Sequence, residues 1–344
     1  MKRIILTALI LVVSVFAWQM LSVIKIKTIG NPILTGPLVT EIEQPFFLSL
    51  QKNTGLPIEV DLKTLDMVGV RDSYQLPMLK DGVFDLVSLR FMQNISNEIT
   101  LNGLDVIGLN IDHEKAHELA NAYAPVVDKR LQEKYNAKLL GLWSFGPQEL
   151  FCSKPIHKLS DIKGMKVRVQ NEHMGQFVRS LGATPAVISF EETRSALENH
   201  LIDCAVSSAV SANSAGWLDY VQYYAPITFS SGVNGYVISL SKWNLLNQKQ
   251  QETLQKAFDK HSNNMWEYSR IVAAEQHNCM LGKDSCKAKK YQFTQYELSK
   301  EDKAFIQRQV KNTSLKNWFE LCNKEYSQCE NEWLKVAGPI TGID

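Results

Sequence analysis

A chain of 344 residues, 45% apolar and 21% charged, is long for one hydrophobic core and neither membrane-embedded nor disordered in composition, so two globular lobes are expected. Its formal charge of +1 becomes −1 without Lys2 and Arg3, which offers nucleic acid no basic field. Those two residues open residues 1–17, MKRIILTALILVVSVFA. The run is short of the ~20 apolar residues that span a bilayer, and with small Ala17 at its end it has the layout of a secretory signal peptide. A periplasmic protein is expected, and without a cysteine before Cys152 no lipid anchor is.

Beyond the leader, residues 23–29 alternate apolar and polar side chains as a strand does and stop at Gly30-Asn31-Pro32. Residues 46–53 read as a helix with Pro45 in its first turn and Thr54-Gly55 at its end. A strand at 58–62, a helix at 73–80 and a strand at 83–89 follow, giving β-α-β-α-β. The alternation continues with a long helix at 113–135 and strands at 137–143 and 150–153. A second unit then begins: strand 166–169, helix 174–181, strand 186–188, helix 191–200 and strand 203–206. Strands alternating with helices imply mainly parallel sheets with right-handed crossovers, hence two doubly wound α/β lobes. From Asn244 onward the chain reads as charged helices packing across both lobes.

Six cysteines in an exported chain are read first as disulfides. Cys279 and Cys286 bracket a turn-forming MLGKDS and can bridge locally. Were Cys322 and Cys329 in one helix, they would stand ~10.5 Å apart along its axis, beyond the ~7 Å limit for a bridge. Either that helix breaks near Ser327, or these two cysteines pair with the earlier two. Cys152 and Cys204 are equally readable as a bridge or as two buried thiols.

The sharpest catalytic pattern is His113-Glu114-Lys115-Ala116-His117, an H-E-x-x-H that on a helix can hold zinc, with Glu114 polarising a bound water. Asp112 is a natural N-cap, which puts His113 at the loosely held first helical position. The alternative is the polar first turn of an amphipathic helix whose core side is Ala116, Leu119, Ala120, Tyr123 and Val127. No nucleophile elbow, phosphate loop or dinucleotide fingerprint occurs. No cofactor, resident metal or catalysis is therefore expected, and a secreted zinc peptidase is the rival reading.

Binding features are stronger. In the strand 166–169, Val167 and Val169 face one way while Lys166, Arg168 and Gln170 face the other. Arg168 lies near the strand's carboxyl end, before a helix starting around Asn171. Open α/β sheets bind ligands at that end, beside helix N-termini that favour anions. An arginine there can clasp a carboxylate with two parallel hydrogen bonds. Ser189 and Glu192 form a capping box that projects Phe190 from the same loop level.

The run Lys154-Pro155-Ile156, Leu159 to Val169, Leu181-Gly182-Ala183-Thr184-Pro185, Phe190-Glu191-Glu192, Ala196-Leu197 and Ile202-Asp203 resembles the solute receptors of DctP-type TRAP transporters, as does Lys80-Asp81-Gly82 to Asp85. The resemblance implies a periplasmic binding protein, type II-like, with a hinge of crossing strands, a helix bridging both lobes, and closure over the ligand. It divides the chain into lobe I, 22–145 and 235–272, and lobe II, 146–234 and 273–344, the latter with the C-terminal helices. The implied ligand is a small organic anion held by Arg168. The implied partners are the membrane permease subunits; a sensor kinase would be served by the same fold.

The departures bear on the ligand. Gln148 stands where sialic acid receptors carry a second arginine, Ser207 where they carry asparagine, and Arg90 where they carry glutamate. Asn31, Phe190 and Asn234 match other pocket positions, and Trp143, Phe145 and Trp217 are candidate apolar walls. Two arginines facing each other from opposite lobes would suit an anion with two charged ends, or one carboxylate held from both sides.

Overall fold

The computed structural model describes residues 23–109 and 111–343; the expected leader, 1–17, lies outside the described residues. The first unit begins with β1, Ile24–Gly30, followed by α1, Gln44–Thr54, which has Pro45 in its first turn and ends at left-handed Gly55. It continues with β2, Ile58–Thr64, α2, Gln75–Lys80, β3, Leu86–Leu89, α3, His113–Tyr135, and β4, Ala137–Ser144. The second contains β5, Gln148–Cys152, β6, Lys166–Val169, α4, Glu172–Ser180, β7, Thr184–Val187, α5, Phe190–Glu198, β8, Cys204–Ser207, and α6, Ala209–Ser214. Then come β9, Tyr223–Ser230, β10, Val233–Ser239, α7, Gln248–Met280, β11, Thr294–Gln295, α8, Lys300–Gln309, α9, Lys316–Glu325, and α10, Cys329–Thr341.

Two sheets result, ordered β2-β1-β3-β10-β4 and β11-β9-β5-β8-β6-β7. The expectation of mainly parallel sheets needs correction. β1 to β3 and β6 to β8 pair in parallel, whereas β10 is antiparallel to β3 and β4, and β5 is antiparallel to β8 and β9. The reason is topological. The chain leaves the first sheet along β4, enters the second as β5, and returns through β9 and β10. The strands that enter each sheet from the other, β5 and β10, run against the βαβ strands beside them, β8 and β3.

The crossings lie at 145–147 and 231–232, where the Phe145 N–H donates to the Gly232 carbonyl at 2.9 Å. Gly232 is left-handed, with φ 68°, and a Cβ there would stand 2.6 Å from the Gly146 carbonyl oxygen, so the two connections can run side by side only through glycine. The buried Asp105 carboxylate accepts the N–H groups of Ser231 at 2.6 Å and Val233 at 3.0 Å, satisfying backbone donors that no ladder reaches. α7 spans both units: Leu254 and Phe258 enter the main core, and Met280 enters a second apolar cluster around Trp217. No helix among the described residues is long and apolar enough to cross a membrane.

All six cysteines pair. Cys152 and Cys204 face each other on β5 and β8, and Cys279 bridges to Cys286 across the turn after α7. Cys322 bridges to Cys329 with Cα atoms 5.8 Å apart. The helix does break there: α9 ends at Glu325, and Tyr326 is extended, with φ −145°. The C-terminal residues, expected with the second lobe, divide. The segment 310–315 packs on α4, but α10 packs on α3 of the first unit. The Trp318 and Trp333 indole N–H groups donate to the carbonyls of Ile99 and Gly103 at 2.9 and 2.8 Å.

Candidate functional site

Parallel strands end with their last peptide groups pointing out of the sheet, so residues just beyond them converge on one edge. Asn31 follows β1, Arg90 follows β3, Ser207 ends β8, and Phe190 opens α5 after β7. Gln148 begins β5 and Asn234 is the second residue of β10, both beside the crossings. All six and Arg168 are buried. Two contacts join the units around this edge: Ser211 Oγ donates to the Thr35 carbonyl at 3.0 Å, and Asn171 Nδ2 donates to the Met92 carbonyl at 2.6 Å.

Arg168 is 3% exposed. Its Nε–H donates to the Ile188 carbonyl and its Nη1 to the Val206 carbonyl, both at 2.9 Å. A guanidinium has five N–H donors; with these two engaged, three remain, and they lie on the terminal nitrogens. The Trp217 ring lies alongside, its centroid 5.3 Å from Cζ, and Phe190 stacks obliquely on Trp217 at 4.8 Å. Among the described residues no carboxylate comes within ion-pair distance. Burial, and after it the charge of Arg90, pushes the Arg168 pKa down from 12.5 to about 9. The site is therefore built to hold a cation that the folded protein itself leaves uncompensated.

Arg90 is different. Its Nη1 pairs with Asp72 Oδ2 at 2.7 Å, the two side chains being 7% and 18% exposed. Its backbone N–H donates to Gln75 Oε1 at 2.9 Å, and its guanidinium lies 5.7 Å from the Phe145 ring. The second arginine is thus neutralised within its own unit. Asp72 is the residue of this candidate site that the sequence reading missed. The signal available was indirect: a buried arginine needs a counter-charge, but nothing in the chain says that this one comes from 18 residues upstream.

The remaining residues are polar and neutral. Gln148 Nε2 donates to the Gly146 carbonyl and its Oε1 accepts from Gln170, both at 2.9 Å. Asn234 accepts from the Phe91 N–H at 3.3 Å and donates to the Gly232 carbonyl at 2.8 Å. Both tie the strand ends to the crossings. Asn31 donates through Nδ2 to Glu43 at 2.9 Å and Ser88 at 2.7 Å, and burial raises the Glu43 pKa above the ordinary carboxylate range. Trp143 sits behind this network, stacked on Tyr236 at 6.0 Å. The H-E-x-x-H histidines do something else. His113 bonds to the Trp266 carbonyl at 3.1 Å, and the His117 ring stacks on the Trp266 indole at 4.6 Å. Asp112 caps α3 by accepting the Lys115 N–H at 2.8 Å, and among the described residues no three ligating side chains gather to hold a metal.

Residues 70–320 match DctP, bacterial extracellular solute-binding protein, family 7. The chain belongs to that family. The family is one of binding proteins, and the expectation of a receptor rather than an enzyme agrees with it. A stretch of 158 residues is 25% identical to the sialic acid-binding periplasmic protein SiaP of Vibrio cholerae, covering 46% of this chain and 49% of that one. Another, of 176 residues, is 26% identical to the C4-dicarboxylate-binding periplasmic protein DctP of Rhodobacter capsulatus, covering 49% of this chain and 50% of that one. The chain thus spans about half the length of these curated relatives in the matched stretches. Among solved structures it is similar to DctP7, a Bordetella pertussis extracytoplasmic solute receptor binding pyroglutamic acid, with TM-score 0.78 at 16% identity over 91% of this chain and 99% of that one. It is also similar to a TRAP periplasmic solute-binding protein from Rhodoferax ferrireducens with bound malonate, with TM-score 0.75 at 15% identity over 92% and 98%. These likenesses show the two-lobed fold.

Proposed function

We propose that this chain is an extracytoplasmic receptor that closes over an organic acid, grips its carboxylate through Arg168, and delivers it to the membrane permease of a TRAP-type transporter. The observation that carries the reading is the buried Arg168 guanidinium, held by two carbonyls, with its remaining N–H groups free for an anion. Two parallel charge-assisted bonds to a carboxylate suit that geometry. Gln148, Asn234, Ser207 and Asn31 supply neutral polar contacts, Phe190 and Trp217 the apolar wall, and Arg90 a second cation already bound to Asp72. Similar structures hold pyroglutamate, malonate and, in a Sulfitobacter protein, galacturonate, all organic acids, and one from Desulfovibrio desulfuricans holds sn-glycerol-3-phosphate, also an anion. The leader-like pattern at 1–17 and the periplasmic relatives support export to the periplasm.

Lobe closure is the switch. In the open form Arg168 faces water; closure buries the charge pair, where its hydrogen bonds strengthen. The test is a thermal-shift screen of organic acids followed by titration calorimetry with the acid that shifts most. At a hundredfold excess over Kd, binding adds about 2.7 kcal/mol of stability, and Arg168→Ala abolishes it. Undiminished binding by Arg168→Ala sinks the proposal.

A further inference from the structure

We propose that the site selects anions of a single negative charge, a monocarboxylate with an uncharged body, and rejects dicarboxylates of the same size. The inference rests on the reading above that Arg168 receives a carboxylate, and it decides between the two ligand geometries that paired arginines allow. The segments that follow β3 and β6 meet, for Asn171, which follows Arg168, donates through Nδ2 to the carbonyl of Met92, which follows Arg90, at 2.6 Å, and Arg168 feels the charge of Arg90 more strongly than that of Asp72.

Two guanidiniums and one carboxylate leave one positive charge, since Arg90 is already paired with Asp72. One ligand carboxylate brings the buried site to neutrality. A second would leave an unmatched negative charge in a low-dielectric pocket and set it against Asp72, where each uncompensated charge is costly. Glu191 acts on Arg168 more strongly than Asp72 does, but it is exposed on the first turn of α5, where water and salt screen it, so it stays outside the count of buried charges. The side chains that complete the pocket, Gln148, Ser207 and Asn234, carry no charge.

The walls point to the same kind of ligand. Trp217 lies along the Arg168 guanidinium and Phe145 beside that of Arg90, so each cation is backed by a ring. The Trp217 Nε1–H is buried and finds no acceptor among the described residues, and a neutral oxygen on the ligand body would supply one.

The experiment is titration calorimetry with size-matched acids, pyroglutamate against glutarate and butyrate against succinate, on the wild type, Asp72→Asn, Asp72→Glu and Arg168→Lys. The wild type is expected to bind a monoacid at least about tenfold more tightly than its paired diacid, the order expected for an unmatched buried charge. Asp72→Asn frees Arg90 and is expected to erase most of that preference. Asp72→Glu keeps the charge and is expected to retain it, which guards against an Asn variant that fails to fold. A diacid bound as tightly as its monoacid partner, or a ratio unmoved by Asp72→Asn, overturns the inference. If a diacid wins yet Arg168→Lys abolishes its binding, the receptor reading stands and only charge selection falls. Acid binding indifferent to Arg168→Lys, or no acid bound at all, removes both.

Discussion

Replacing Arg168 with methionine is expected to leave the unliganded protein within about 1 kcal/mol of the wild type or more stable than it, while removing its response to organic acids. The displacement of the Arg168 pKa from 12.5 to about 9 corresponds to roughly 5 kcal/mol at about 1.4 kcal/mol per unit, the cost of holding the guanidinium charged in this surrounding. Methionine, unbranched and flexible, replaces the aliphatic stem but stops short of the guanidinium beside Trp217. Against that gain stand the Ile188 and Val206 carbonyls, which lose a donor at about 1–3 kcal/mol each where water cannot replace it. The difference runs from about 1 kcal/mol against the variant to about 3 kcal/mol in its favour. Urea denaturation of both proteins, with and without the acid found in the thermal screen, measures it. A variant less stable than the wild type by more than about 2 kcal/mol would make Arg168 a structural pin rather than a ligand group. A variant that still gains stability with ligand would refute the reasoning from the other side.

Gly232→Ala places a Cβ in a left-handed residue and against the Gly146 carbonyl and Gln148; a loss of about 2–4 kcal/mol in urea denaturation is expected, and a loss below 1 kcal/mol would mean that the crossings can slide apart. Asp105, buried against the hinge, has its pKa raised by burial from 3.8 to about 6. The folded state holds that proton more tightly than the unfolded state, so the stabilisation is full below pH ~4 and is lost as pH rises through ~6, by up to ~3 kcal/mol. The stability difference between wild type and Asp105→Asn is expected to follow that slope from pH 4 to 7.5, and a flat difference contradicts it. Removing the Cys152–Cys204 bridge, which closes a separation of 52 residues, is expected to lower stability by ~4 kcal/mol, more than removing Cys279–Cys286 with its separation of 7. Melting curves of the two paired alanine variants rank them, and the reverse order counts against an effect through the unfolded chain.

Much of the architecture was legible because it is written in short-range patterns. The alternation at 166–169 marked β6 with the bounds observed, Asp112 and Asn136 bound α3 as cap and left-handed stop, and Ser189 caps α5 by accepting the Glu192 N–H. Strand direction was less legible. Nothing local distinguishes β5 or β10 from a βαβ strand, because antiparallel pairing there is imposed by the route of the chain between sheets. The cysteines show the same limit: spacing alone could not say whether the helix holding Cys322 continues, and the extended Tyr326 that lets it reach Cys329 is a property of the folded chain.

The candidate site divides along the same line. The strand pattern and the motif around it placed Arg168 at a carboxyl end on the polar side of β6, since a strand's facing is set by a period of two residues. Its burial, its two carbonyl partners and the Trp217 ring beside it belong to residues 20–49 positions away and appear only on folding. Arg90 looked in sequence like a second free cation. Tertiary structure brings Asp72 to it at 2.7 Å, and since Coulomb energy depends on distance in space, that contact alone changes the charge the pocket offers. The chain by itself determined that an arginine stands near the carboxyl end of β6 on its polar side; only the packed lobes decided how much charge surrounds it.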